Sequence, residues 1–263
     1  MHTQETDQTI AQAFVAARRS GEGLAIYPGP APVTLADAYR IQDAAISIDG
    51  RAVAGWKVGR INAPLDAELG ANRLAGPIFA DSVTQDGAAM PVFADGFVAG
   101  EAEWLLHVAP GFAGPVPTDD AATKAIIDEV RIGIEIASSP YPGINADGPC
   151  VTVSDYGNNA GLVLGAPVDG WADLDLCTIS VATTIGGAVV GEATAATMLD
   201  GPYGAVRFLL ANLMERGLDV SGGLWVSSGA VTGVHQALVG QSVSASFGDL
   251  GQVSCTLTQA QPR

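Results

Sequence analysis

The sequence has little charge, and least of all positive charge. Only 15% of its 263 residues are charged, and 12 lysines and arginines stand against 28 aspartates and glutamates, for a formal net charge of −16. No basic patch is available to neutralise phosphates, which argues against nucleic acid as a partner. An anionic membrane surface would repel the chain for the same reason. Cysteine is scarce and odd in number: Cys150, Cys177 and Cys255, with no C-x-x-C spacing. That argues against a disulfide framework or a zinc site and fits a reducing cytosol. No apolar run is long enough to span a bilayer. Residues Met1 to Asp7 are polar and lack the apolar stretch of a secretory signal, so a cytoplasmic protein is expected. What the chain does have is apolar mass, 48% of its residues, which is the composition of a packed globular protein.

Periodicity predicts an amphipathic helix over 7–19 and a second opened by Thr34 and running to about Ile48. Val53 to Val58 reads as a strand, 64–69 as a short helix or turn, and 76–81 as a turn with a short extended run. From about residue 88 strand patterns dominate, at 97–108, 131–137, 161–164, 177–185, 187–191, 224–228, 242–247 and 252–258. Gly186-Gly187 signals a hairpin. Helices are expected over 119–130 and 202–216. Strands and helices do not alternate, and no G-x-G-x-x-G follows a strand, which disfavours a TIM barrel or a Rossmann fold. The expected organisation is a helical N-terminal segment, 1–85, packed on a β-rich body, 86–263, as one cooperative unit.

Three glutamates carry the chemistry. Glu101 and Glu103 lie two apart in an apolar strand and so share one face, and Glu135 lies in another strand that is apolar almost throughout. Carboxylates that close cannot all stay ionised in an apolar setting without a counter-charge. A divalent cation is the natural one, and oxygen ligands suit Mg²⁺, Mn²⁺ or Ca²⁺. A solvated strand face would explain an E-x-E pair alone, but it fits poorly with Glu135. Lys57, in Gly-Trp-Lys-Val-Gly, is one of two lysines, the other being Lys124. Buried lysines titrate low, which suits an acid or base near neutral pH. The alternative is a lysine that snorkels to water. Two glycine-bounded polar loops, 154–161 and 227–233, offer N–H groups and hydroxyls to an anion, although ordinary turns would look the same. Asp81 is a weaker candidate that a helix cap would also explain. His107 and His235 read as ordinary histidines, and no G-x-S-x-G elbow is present.

The runs at 55–70, 76–82, 101–103, 154–165, 209–217 and 227–234, together with the isolated Glu135, resemble the fumarylacetoacetate hydrolase superfamily. The nearest branch looks like the 2-keto-4-pentenoate hydratases and 4-oxalocrotonate decarboxylases of aromatic catabolism. The resemblance implies an α+β fold built on a mixed β-roll, a bound Mg²⁺ or Mn²⁺, and a homo-oligomer acting on a small 2-keto acid. It implies Glu101, Glu103 and Glu135 as metal ligands and Lys57 and Asp81 as catalytic groups. Asn158, Ser228 and Gly229 would hold the substrate. The expected reaction is hydration, with decarboxylation as the alternative, then tautomerisation or carbon–carbon hydrolysis, and finally a metal-binding oligomer without turnover. Hydrolases of this kind need a Glu-His pair near the N-terminus, where the only histidine is His2. The chain also departs from the pattern. Asn158 stands where a serine is common, Ser138-Ser139-Pro140 replaces an Asp-Ser-Arg run, and Ala230 replaces a frequent serine.

Overall fold

The computed structural model describes residues 3–263; His2, weighed above for a hydrolase pair, lies outside them. The first half of the chain holds α1 (Gln4–Ser20), α2 (Leu35–Asp49), β1 (Val53–Arg60), α3 (Leu65–Leu69), β2 (Arg73–Phe79), β3 (Val83–Gln85), β4 (Ala88–Val92), β5 (Phe97–Val108), α4 (Asp120–Lys124) and β6 (Ile127–Ser139). The second half holds α5 (Pro149–Ser154), β7 (Asn159–Pro167), β8 (Val181–Ile185), β9 (Ala188–Ala193), α6 (Gly201–Glu215), β10 (Leu224–Ser227), β11 (His235–Gln236), β12 (Ser242–Phe247) and β13 (Gln252–Gln259). This is the mixed α+β architecture expected, with a curled main sheet ordered β2-β1-β10-β5-β6-β7-β3 and β11 added to β5. A second sheet has the order β4-β13-β12-β8-β9.

The two faces of the main sheet differ in composition because β5 and β6 alternate two kinds of residue. Ala102, Trp104, Leu106, Ile132 and Ile134 point one way and are fully buried. They meet Val243, Ala245, Phe247 and Val253 of the second sheet, with Trp104 edge-on to Phe247 at 4.9 Å between ring centres. Leu209, Leu210 and Leu213 of α6 join the same core. Each such side chain contributes about 1.5–3 kcal/mol of burial. The opposite face carries the polar residues. Glu101 pairs across to Glu135, Ser227 to Leu105, and Lys57 to Ser227. Residues opposite one another on paired strands share a face, so Lys57, Ser227, Glu103, Glu101 and Glu135 all project to one side.

α1 and α2 pack on each other and on Phe79 and Tyr156 to form a smaller core around Ile10, Phe14 and Ile41. Thr34 caps α2 as predicted, accepting from Asp37 N–H at 3.1 Å. Other expectations need correction. The helix expected over 119–130 stops at Lys124, and β6 begins at Ile127. Asp119 caps the helix, but Val130, Ile132, Ile134 and Ile136 repeat with the strand period and take over. Residues 73–79 form a full strand despite Gly76 and Pro77, which an edge strand tolerates. The strand expected over 177–185 begins only at Val181. β1, β2 and β3 all belong to the main sheet, so the division expected near residue 85 runs through that sheet.

Candidate metal centre and active site

The three glutamates meet on the inner face of the sheet. Glu101 is 4% exposed and Glu103 and Glu135 are fully buried, and each offers an oxygen within 4.8 Å of the others. Lys57, 6% exposed, points its Nζ at Glu135 Oε2 from 3.5 Å. The remaining partners fix the carboxylates in place. Ser227 donates to Glu103 Oε2 at 2.5 Å and Gly229 N–H to the same oxygen at 2.8 Å. Gly229 has a φ of +107°, open to glycine at little cost, and this turns its N–H inward. Asn159 Nδ2 donates to Glu135 Oε1 at 2.7 Å. Glu103 Oε1 and Glu135 Oε2 accept no hydrogen bond from the described residues.

Burial pushes the Glu101 and Glu103 carboxyls up, Glu103 to about 8, and the charge of Glu135 adds to it. Lys57, Ser227 and the Gly229 N–H oppose that rise at Glu103. Burial alone would lower Lys57, but Glu135, Glu101 and Glu103 overcome it and hold the ammonium well above the usual lysine range. The expectation of a low-titrating lysine followed from burial alone; among three carboxylates with no cation between them the direction is reversed. The cause is its carboxylate neighbours, which the local sequence around Lys57 does not contain. Fully ionised, three carboxylates and one ammonium would sum to −2, the charge one divalent cation would cancel. Two uncoordinated buried oxygens, hard donors and that balance together fit Mg²⁺ or Mn²⁺.

The cluster opens into a cleft of about 810 Å³ lined by Lys57, Glu101, Asn158, Ser228 and Gly229, among others. Asn158 and Ser228 are buried, and Asn158 Oδ1 and Ser228 Oγ have no partner among the described residues. Gly229 lines the cleft too, but its N–H is already given to Glu103. The turn carrying Asn158 holds Tyr156, Gly157 and Asn158 at φ of 56°, 62° and 67°. Such a left-handed turn costs about 1–2 kcal/mol per non-glycine residue. It lies across Gly76, where any side chain would run into the Tyr156 carbonyl. Asp81 does not join the site. It lines a separate hollow of about 230 Å³ and faces Arg51 at 3.1 Å and Arg263 at 3.7 Å. His107 pairs with Asp128 and lies outside the cleft.

Sequence reasoning missed Ser227, Asn159 and a support behind them. Arg18 of α1 donates to Asp155 at 2.6 and 2.9 Å, to the Ser138 carbonyl at 3.1 Å and to the Asn159 carbonyl at 3.0 Å. Ser139 also donates to Asp155. A guanidinium from α1 thus reaches the segment where the resemblance lacks its arginine. Ser227 and Asn159 stood inside the two polar loops and could have been found there. Arg18 gave no local signal.

No family model matches the chain. It is 26% identical over 267 residues to 2-oxo-hept-4-ene-1,7-dioate hydratase of Escherichia coli, covering 97% of this chain and 99% of that one. It is 28% identical to 4-oxalocrotonate decarboxylase of Pseudomonas putida over 130 residues, 49% of either chain. The solved 4-oxalocrotonate decarboxylase of Pseudomonas putida G7, complexed with magnesium and adipate, superposes with a TM-score of 0.81 at 22% identity, covering 98% of this chain and 99% of that one. The resemblance read from the motifs is borne out: the chain has the fumarylacetoacetate hydrolase fold, and its sequence relatives carry the names of that superfamily's hydratases and decarboxylases.

Proposed function

We propose that this chain is a Mg²⁺- or Mn²⁺-dependent lyase that adds water to a 2-hydroxydienoate through its 2-keto-enoate form, in the breakdown of aromatic compounds. The observation that carries this reading is the buried Glu101–Glu103–Glu135 cluster with Lys57 beside it, opening into a cleft. The full-length likeness to a hydratase supports it. A divalent cation held by the three glutamates would supply Lewis-acid polarisation of a 2-keto acid.

The chain's own residues do the rest. Lys57 sits beside that position with a proton to give and a carboxylate, Glu135, to steady it. It carries the proton that converts dienol to enone, and takes part again when water adds conjugately. Asn158 and Ser228 turn unpartnered oxygens into the cleft and orient the acid head or the incoming water. Ile61, Leu65 and Val231 line the walls and keep bulk water from the carbon chain. Asp81, held by arginines elsewhere, receives no role.

Decarboxylation is a second reading, favoured by the relative that matches half the chain. The same residues would serve, with a carbon–carbon bond broken and CO₂ released instead of water added. Turnover of 2-hydroxypenta-2,4-dienoate and of 4-oxalocrotonate, each with Mg²⁺ and with EDTA, distinguishes the two. Glu101→Gln abolishes metal-dependent turnover and leaves the fold intact. Undiminished activity in that variant, or in EDTA, would overturn the reading.

We further propose a cytoplasmic homo-oligomer. Exposed Val189 and Val190 on the edge strand β9 support the assembly. No helix among the described residues is long and apolar enough to cross a membrane.

A further inference from the structure

Arginines in this acidic chain are nearly all claimed by carboxylates. Arg18, Arg40, Arg51, Arg73, Arg131, Arg207, Arg216 and Arg263 each have one within ion-pair distance. Among the described residues, two arginines do not. Arg19 caps α2 by donating to the Ile48 and Asp49 carbonyls at 3.0 and 3.1 Å. Arg60 has a single weak contact, to the Thr197 carbonyl at 3.3 Å, and it lines the cleft.

Its position sharpens the point. Arg60 ends β1, directly opposite Arg73 on β2. Like charges so placed repel. Arg73 is buried and paired with Asp200, which also receives Arg207 at 3.3 Å, so that side of the pair is neutralised within the protein. Arg60 is exposed and uncompensated, although the chain has more than twice as many acids as bases. Lys57 and Arg60 are three residues apart, roughly 10 Å along a strand. They leave β1 on opposite faces, and both line the cleft.

We propose that Arg60 anchors a second, distal carboxylate, so that the substrate is a 2-keto diacid and not a monoacid. The inference rests on the keto-acid reading above and adds a residue that sets specificity. Arg60 touches the non-reacting end, so it acts on substrate binding and leaves the chemical step alone.

Titration calorimetry of the Mg²⁺-loaded protein with 2-oxoadipate and with 2-oxohexanoate, equal in carbon count and differing in one carboxylate, tests this. The wild type binds the diacid at least tenfold tighter. Arg60→Gln brings that ratio close to one while binding of 2-oxohexanoate stays unchanged, and Arg60→Lys restores part of the preference. In turnover, Arg60→Gln raises KM for a diacid dienoate and spares kcat. Equal binding of the two acids by the wild type, or an unchanged ratio in Arg60→Gln, overturns the proposal and leaves the keto-acid reading standing. Binding of neither acid overturns both.

Discussion

Two buried charge clusters lie side by side in this molecule, and they are built on opposite terms. Around Arg18, one guanidinium meets one carboxylate in a two-pronged pair, with Ser139 and backbone carbonyls filling the remaining positions. Around Lys57, three carboxylates share one ammonium, which lies 3.5 Å from Glu135, and two of their oxygens accept no hydrogen bond. Burying charge costs several kcal/mol per ion unless it is paired and hydrogen-bonded. The first cluster meets that condition within the chain. The second meets it only with something from outside, and it alone opens into the cleft. Asn159 joins them: its carbonyl accepts from Arg18 and its amide holds Glu135. The closed cluster therefore positions a ligand of the open one.

The largest effect that separates the two is on stability. Arg18→Met leaves Asp155 buried without its partner and costs about 3–5 kcal/mol in urea denaturation. A loss below about 1 kcal/mol would mean that the two clusters do not differ as described. Glu103→Gln does the reverse. Mg²⁺-dependent turnover falls by about 10²–10³-fold, while the metal-free protein unfolds at the same urea concentration or higher, because a buried carboxyl crowded by its neighbours has gone. Saturation with Mg²⁺ at 100 times its Kd raises wild-type stability by about 2.7 kcal/mol. Differential scanning fluorimetry sees that gain in the wild type and not in Glu103→Gln.

The smallest effect lies at the rim of the closed cluster. Asp49 is paired with Arg51 at 2.8 Å and accepts from Tyr156 OH at 3.1 Å. Burial raises its carboxyl, but Arg51 and Tyr156 outweigh that and hold it below the usual range. A depressed carboxyl stabilises the fold above the unfolded value, near pH 4, and that stability is lost as pH falls through the folded value. Asp49→Asn therefore costs no more than about 1 kcal/mol at pH 7, since Arg51 meets solvent. The gap to wild type closes in acid. A gap that widens below pH 4 would refute the assignment.

The open cluster was the more legible of the two in the sequence. Glutamates are conspicuous in apolar strands, and strand alternation puts Glu101 and Glu103 on one face without further information. Register is what pairs Glu101 with Glu135, and the motif resemblance supplied that third ligand before the sheet did. The closed cluster was not legible. Arg18 and Asp155 are 137 residues apart, and each looks ordinary where it stands. Among elements, β5, β12, β13 and α6 were read nearly to their ends because their patterns are strong, while β6 and β7 were read only in their middles. α5 and the short strands β3, β4 and β11 were missed, since a few residues carry too little pattern to be told from a loop. Asp81 misled because a shared motif marks a position in the chain and not where its side chain goes; here Arg51 and Arg263 draw it to the surface.

The strand order has a consequence for how the protein is made. β10 lies between β1 and β5, yet it leaves the ribosome after both. Until it arrives, β1 and β5 each have an open edge in the nascent chain, and such edges invite wrong pairing. The strand that closes the gap also delivers Ser227 and leads into Gly229, the two groups that hold Glu103. Closing the gap between β1 and β5 and securing Glu103 are thus one event, the insertion of a four-residue strand.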